Sequence, residues 1–372
     1  MDHHLHADIW EILPENIILD RKIGEGAFDT VFIGKINDNI FTQKNFANQK
    51  SKTTLFNIKE NVAVKFLKDN ANQSEFDDFL EEIKLMKQIG YHKNIVNMIG
   101  CSTITKPLCL VVEFMENGYL LHYLRNSRNK LTSSKEDGES CISFMYTDNY
   151  IQTLEEYLSF VKLVHRDLAA RNILVGATKN VKISDFGLSR KTNNELNYTS
   201  NKSRRLPVKW MSVEAIFDQI FTTYSDVWAY GVVLFEIVTL GGTPYPSMSN
   251  HELIERLKFG YRMERPENCS QPLYDIMLHC WNEDPLKRPT FTELREQFDK
   301  ILCQGDSYCN FDVYEKNDYS SASFQSEKSE MFVNSLNNGT LQKPAQLKLF
   351  EEQSDERYSC QISKDEINEA EI

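Results

Sequence analysis

His165-Arg166-Asp167-Leu168-Ala169-Ala170-Arg171-Asn172 and, thirteen residues after its Asn, Asp185-Phe186-Gly187 are where this chain concentrates its chemistry. Transfer of a phosphoryl group to a hydroxyl needs a base for the attacking oxygen and oxygen ligands for Mg2+. Asp167 can serve as the base. Asn172 and Asp185 carry hard oxygen donors that suit the metal. An isolated Asp is usually a solvated or capping residue, but a full eight-residue loop with Asp-Phe-Gly at this spacing is not a chance pattern.

Two stretches upstream extend the same reading. Ile23-Gly24-Glu25-Gly26-Ala27-Phe28-Asp29-Thr30-Val31 reads as a glycine-rich turn between strands. Glycines there let backbone N–H groups approach phosphate oxygens without side-chain collision. On its own the pattern is better read as a structural turn. With Val62-Ala63-Val64-Lys65 following it, a nucleotide site is the better reading.

These motifs resemble protein tyrosine kinases, and the resemblance runs from about Ile17 to Leu302. They are most similar to the receptor-type members of the fibroblast and platelet-derived growth factor receptor kind. Asp8-Ile9-Trp10-Glu11-Ile12 is also similar to the juxtamembrane approach of that group. Two features mark the tyrosine branch: Ala169-Ala170-Arg171, where serine/threonine kinases usually carry a lysine, and Arg205-Leu206-Pro207-Val208-Lys209-Trp210-Met211, similar to the shelf for a substrate's aromatic ring.

The resemblance implies an α+β, two-lobed kinase fold, with a small antiparallel sheet and one helix hinged to a larger helical lobe. It implies ATP and Mg2+ in the cleft, with Asp167 as base, Arg171 beside the substrate hydroxyl, and Asn172 and Asp185 on the metal. Lys65 would pair the α- and β-phosphates, held by Glu82, with Glu81 the second candidate about 100° around the helix. Nucleotide contacts fall on Ile23, Gly24, Glu25, Gly26, Val31, Ala63, Lys65 and Leu174. Val112 would control the rear of the pocket, and backbone groups of Glu113 and Met115 would bond adenine, although Leu108–Met115 also reads as a plain core strand. Tyr198 is the expected activation-loop phosphosite, with Arg166 placed to bind its phosphate. Glu214 and Arg288 would form a buried ion pair, and Asp226 would bond the catalytic-loop backbone.

Three departures stand out. Asp29 replaces the third glycine of the turn; pointing inward it weakens ATP binding, and pointing outward it costs little. Ser212-Val213-Glu214 replaces Ala-Pro-Glu. Bulky residues in Tyr150–Glu155 replace the small ones usual in the helix before the catalytic loop.

The elements that must position these groups follow from periodicity. Residues 17–36 read as strands around a tight turn, 37–60 as a polar loop, 61–67 as a strand, 74–89 as an amphipathic helix and 108–114 as a buried strand. The lobe boundary falls near Met115–Gly118. Polar residues 126–143 read as a surface insert, and apolar spacing from Tyr150 to Val161 as a helix. Beyond Met211, helices alternate with breaks at Pro244, Pro246, Pro266 and Pro272. The expected organisation is an N-terminal segment 1–16, a kinase domain 17–302 (N-lobe 17–115, C-lobe 116–302) and an acidic, disordered tail 303–372.

Composition sets the outer limits. The chain has 372 residues, 41% hydrophobic and 26% charged, with a formal net charge of -12, which disfavours nucleic acid as a partner. Its eight cysteines include no Cys-x-x-Cys pair, as expected of reduced thiols in the cytoplasm. No apolar run is long enough to span a membrane, and Val227–Leu240, the longest, is interrupted by Glu236. His3, His4 and His6 read as a solvated tail. Tyr308, Tyr314, Tyr319 and Tyr358 lie in polar sequence, and Tyr308-Cys309-Asn310 fits the preference of some SH2-type adaptors. The reading is a signalling enzyme acting on protein tyrosines, cytoplasmic or recruited to the inner face of the plasma membrane. The rival is a pseudokinase scaffold, motivated by the three departures.

Overall fold

The computed structural model describes residues 8–26, 28–37, 61–131, 163–191 and 206–304, and the structural statements below concern these. Strands β1 (Ile17–Glu25), β2 (Asp29–Ile36), β3 (Val62–Leu67), β4 (Met98–Ser102) and β5 (Cys109–Glu113) form one antiparallel sheet in the order β1-β2-β3-β5-β4. Period-two alternation then decides which side chains share a face. Val31 lies opposite Lys65, Asp29 opposite Leu67, and Ala63 opposite Val112. Asp29, Val31 and Lys65 therefore look the same way, while Val62, Val64, Cys109 and Val111 pack a small core with Ile12 and Ile36.

Helix α1 (Gln73–Ile89) starts at a capping box: Asn72 Oδ1 accepts the Glu75 N–H at 3.0 Å, and Glu75 Oε2 accepts the Asn72 N–H at 2.7 Å. This reciprocal pair satisfies two donors that the first helical turn would leave unpaired. The buried face of α1 carries Phe79, Ile83, Leu85, Met86 and Ile89 together with one carboxylate, Glu82. Ahead of the sheet, Ile12 N–H donates to Cys101 O at 2.7 Å and Cys101 N–H to Trp10 O at 2.8 Å, covering the outer edge of β4. Lys87 of α1 donates to Asp8 at 2.9 Å, so the same segment is tied to the helix as well as to the sheet.

The second part is helical around two short ribbons. Helix α2 (Leu120–Leu131) precedes β6 (Leu163–Val164), β7 (Ile173–Val175), β8 (Val181–Ile183) and β9 (Arg190–Lys191), with β6 paired to β9 and β7 to β8. Then come α3 (Val213–Phe217), α4 (Thr223–Val238), α5 (Asn250–Lys258), α6 (Gln271–Cys280) and α7 (Phe291–Gln304). Every residue of α4 from Ser225 to Val238 is buried, as a helix that is apolar nearly all round must be. The longest apolar run is thus the core helix of this lobe, and among the described residues no helix is long and apolar enough to cross a membrane.

Three sequence readings are corrected here. The stretch from 126 does not open an insert, because α2 continues to Leu131; exposed Asn126 and Asn129 are polar because they face water, not because the helix has ended. Pro272 does not break a helix but sits in the first turn of α6, where its fixed φ fits and no N–H is missed. Helix α7 continues to Gln304, past the expected start of the tail. The expected helix 150–161, the loop 38–60, the tail beyond 304 and His3, His4 and His6 lie outside the described residues.

One buried ion pair ties α3 to the end of the lobe. Arg288 Nη1 and Nη2 donate to Glu214 Oε1 and Oε2 at 2.8 and 2.7 Å, and the Ser225 hydroxyl adds a bond to Oε1 at 2.9 Å. Burial would push the Glu214 carboxyl up, but the Arg288 hydrogen bonds and charge outweigh it and hold the pKa below its ordinary value. Arg288→Ala is expected to cost about 3–5 kcal/mol, because it strands a buried carboxylate. Urea unfolding checks this, and a loss below about 1 kcal/mol would contradict a buried, paired role.

Candidate active site

The catalytic-type loop is suspended from two buried carboxylates of α4. Asp226 Oδ2 accepts the His165 N–H at 2.8 Å and Oδ1 the Arg166 N–H at 3.0 Å. Glu236 Oε2 accepts the Ala170 N–H at 2.9 Å and the Trp210 indole N–H at 3.0 Å. These bonds hold Arg166 at φ 69°, a left-handed conformation that a side chain of this size rarely adopts without support. The His165 ring fills the loop's interior, packed 5.4 Å from the Phe186 ring and within 3.2 Å of the Ser184 carbonyl.

The loop aims Asp167 by fixing both of its carboxylate oxygens. Asn172 Nδ2 donates to Oδ2 at 2.8 Å and to the Asp167 carbonyl at 2.7 Å, while Arg171 pairs with Oδ1. The Arg171 guanidinium lies 4.1 Å from the Trp210 ring centre. The expected substrate shelf is thereby joined to the proposed base through one arginine. Arg166 stacks its guanidinium 3.9 Å from the Phe221 ring. Tyr198 lies outside the described residues.

Across the cleft, Lys65 Nζ donates to Glu82 Oε1 at 3.1 Å and Oε2 at 3.0 Å. Glu81, the second candidate, pairs instead with Lys84 on the exposed side of α1. Asp29 Oδ2 and Asp185 Oδ1 approach the same ammonium to 3.3 and 3.8 Å. Burial works against the charge on Lys65, but Glu82, Asp185 and Asp29 outweigh it, so its pKa stands well above the ordinary value. Lys65 in turn pulls the Asp185 carboxyl below its ordinary value. Asp185 adopts φ 60° and accepts the Gly187 N–H at 3.3 Å. A carboxylate that is half exposed to the cleft, near a carboxamide held by Asp167, is a donor set that suits a hard divalent ion.

Of the residues expected to hold the base, Val31, Ala63, Val112 and Leu174 are half-buried, Met115 is buried and Ile23 exposed, with Ala63 directly opposite Val112 in the sheet. The Glu113 N–H is committed to the Asn97 carbonyl at 3.0 Å, so Glu113 can offer a base only its carbonyl oxygen.

Three interactions were not anticipated from sequence. The Glu113 side chain accepts from Asn97 N and Nδ2 and from Lys182 Nζ, each at 2.7 Å, linking β5, the β4 approach and β8. Glu236 entered the sequence reading only as an interruption of an apolar run; an acid inside such a run is a signal for a buried partner. Glu11 accepts the Thr103 and Ile104 N–H groups at 2.7 and 3.0 Å, and nothing in its local pattern pointed there.

A five-stranded lobe with one helix, a helical lobe, and lysine, carboxylate and amide groups converging between them define a protein kinase. The family model for protein tyrosine and serine/threonine kinases matches residues 17–298. A fibroblast growth factor receptor of Hydra vulgaris is 38% identical over 329 residues, 88% of this chain and 38% of the relative. Fibroblast growth factor receptor 1 of Pleurodeles waltl is 41% identical over 303 residues (79% and 35%), and the torso tyrosine-protein kinase receptor of Bombyx mori 38% over 333 (79% and 39%). This chain belongs to the protein tyrosine and serine/threonine kinase family and is similar to its receptor tyrosine kinases. It spans little more than a third of the length of these relatives.

Burial pushes the Asp226 and Glu236 carboxyls up to about 6 and about 7, although the N–H groups they accept pull the other way. A carboxyl whose pKa rises on folding contributes stability that is complete below its unfolded pKa and lost as pH rises through the folded one. For Glu236 that window runs from about 4.5 to about 7. Glu236→Gln keeps an acceptor oxygen and no longer titrates. Raising the pH from 5 to 8 should therefore cost the wild type more stability than the variant, by an amount on the order of 3 kcal/mol. Parallel urea titrations at the two pH values test this, and equal losses would exclude it.

Proposed function

We propose that this chain is a protein tyrosine kinase, transferring the γ-phosphoryl group of ATP to tyrosine hydroxyls of protein substrates in signal transduction. The observation that carries this reading is the approach of Lys65, held by Glu82 in the sheet lobe, to Asp185 of the helical lobe, which also carries Asp167, Asn172 and Arg171 in one bonded loop. Lys65 binds the α- and β-phosphates, and Glu82 keeps it aimed. The turn at Gly24 and Gly26 covers the phosphates, and Val31, Ala63, Val112 and Leu174 enclose the base above the backbone of Glu113 and Met115. Asp167 orients the tyrosine hydroxyl and takes its proton. Asn172 and Asp185 would hold Mg2+, whose charge offsets that of the phosphates. Arg171, stacked on Trp210, positions the substrate ring next to the reacting oxygen.

The family and its receptor relatives support the tyrosine reading, as does the alanine–arginine pair at Ala170 and Arg171. We assign residues 17–304 to the kinase domain and those beyond to a tail whose tyrosines dock SH2-type adaptors. Tyr198, phosphorylated in trans and bound by Arg166, is the proposed activating site. The domain would work on the cytoplasmic side of the plasma membrane.

Lys65→Met and Asp167→Asn should each lower phosphorylation of a poly-Glu/Tyr substrate by about 10²–10⁴-fold; Lys65→Met should also lower the melting temperature, because it strands the buried Glu82 carboxyl. Preincubation with ATP should activate the wild type after a lag, and Tyr198→Phe should abolish that activation. A radiolabel assay of the wild type against tyrosine and serine peptides decides between this reading and a pseudokinase scaffold. Turnover unaffected by either active-site change would refute it.

A further inference from the structure

We propose that Asp29 is a built-in competitor for the nucleotide's phosphates, pairing its charge with Lys65 on the cleft face and so setting the KM for ATP. The inference rests on the nucleotide reading of the cleft. It concerns one residue, standing where the family pattern has glycine.

Four observations carry it. The first is register: Asp29 lies opposite Leu67 and Val31 opposite Lys65, so Asp29 is a diagonal cross-strand neighbour of Lys65 on the cleft face. The choice left open by the sequence is therefore settled by the pleat, and the side chain points inward. The second is the contact itself, Asp29 Oδ2 to Lys65 Nζ at 3.3 Å. The third is the position of the other oxygen. A Cβ built on Gly26 would collide with Asp29 Oδ1, so this carboxylate fills the space beneath the turn that the absent side chain leaves. The Gly26 N–H closes the turn on the Asp29 carbonyl at 3.0 Å, and Lys68 Nζ holds the Gly26 carbonyl from the outside at 2.8 Å. The carboxylate thus lies where a glycine-rich turn would otherwise receive a phosphate.

The fourth is charge around one ammonium. Lys65 Nζ donates to both Glu82 oxygens, which leaves one of its three N–H donors. Asp29 and Asp185 stand within 4 Å of the same nitrogen as ion partners. A phosphate oxygen approaching Lys65 therefore meets carboxylate charge already there. Glu82 is locked in the core, and Asp185 is proposed as a metal ligand. Asp29, at the start of β2 beside the turn, is the group that must swing away, and it repels the incoming phosphates until it does.

Steady-state kinetics and nucleotide binding on the full chain test this, comparing wild type with Asp29→Gly and Asp29→Asn. Asp29→Gly should lower KM for ATP about 3- to 10-fold with kcat within about twofold, a range set by one partly screened charge pair. Asp29→Asn should reproduce most of the gain, since it removes charge while keeping volume. The inhibition constant of adenosine, which carries no phosphate, should be unchanged in both. An unchanged KM in Asp29→Gly, a raised KM or lowered kcat in either variant, or a gain confined to Asp29→Gly would overturn the competitor role. If wild type and variants are folded but none binds Mg-ATP, the nucleotide reading itself fails. Tight ATP binding that is equal in all three retains that reading and rejects only Asp29.

Discussion

One ammonium group shared among carboxylates governs this site. Lys65 is mostly buried, and removing a charge from water is tolerated only when opposite charge stands close by. Glu82 supplies that charge from a helix whose other inward residues are apolar. The position of α1 is therefore coupled to the protonation and aim of Lys65. The helix is in turn fixed by its capping box, by its packing under the sheet, and by the Asp8–Lys87 pair with the preceding segment. Displacement of any of these moves the carboxylate and leaves Lys65 to Asp29 and Asp185 alone. The cleft is assembled when the small lobe is.

On the other side the constraint is carried by α4. A helix buried from Ser225 to Val238 has no reason to carry acids unless they bind something. Asp226 and Glu236 stand ten residues apart in the chain and take four N–H groups between them, three from the catalytic loop and one from Trp210. Both carboxyls are pushed toward neutrality by burial, so the loop's geometry is maintained at a cost in stability that apolar side chains would not incur. This is the exchange expected where a strained backbone, here Arg166 in the left-handed region, must be held for function.

The chemistry-bearing residues could be read from sequence because their spacing is local. Asp167, Arg171 and Asn172 fall within one loop, and Glu82 was preferred to Glu81 because it sits where the kinase family's pairing glutamate does. The inward turn of Asp29 could not be read so easily. It depends on a two-residue alternation whose phase is set by pairing across to β3, and the chain alone left both directions open. Asn97, Glu113 and Lys182 were missed for the same reason: their meeting point joins three strands separated in sequence by 16 and 69 residues. The misplaced insert at 126 had a different cause. Polar composition reports exposure, and the solvent face of a helix end has the same composition as a loop.

The tyrosine-type marks are also mechanically connected. Arg171 contacts Asp167 and stacks on Trp210, while Trp210 and Ala170 bond the same Glu236 oxygen. Asp167, Trp210 and the core helix therefore form one closed circuit of contacts. A lysine in place of Arg171 would offer a point charge without a planar face for the indole. Displacing Trp210 would therefore disturb Arg171 and, through it, the aim of Asp167.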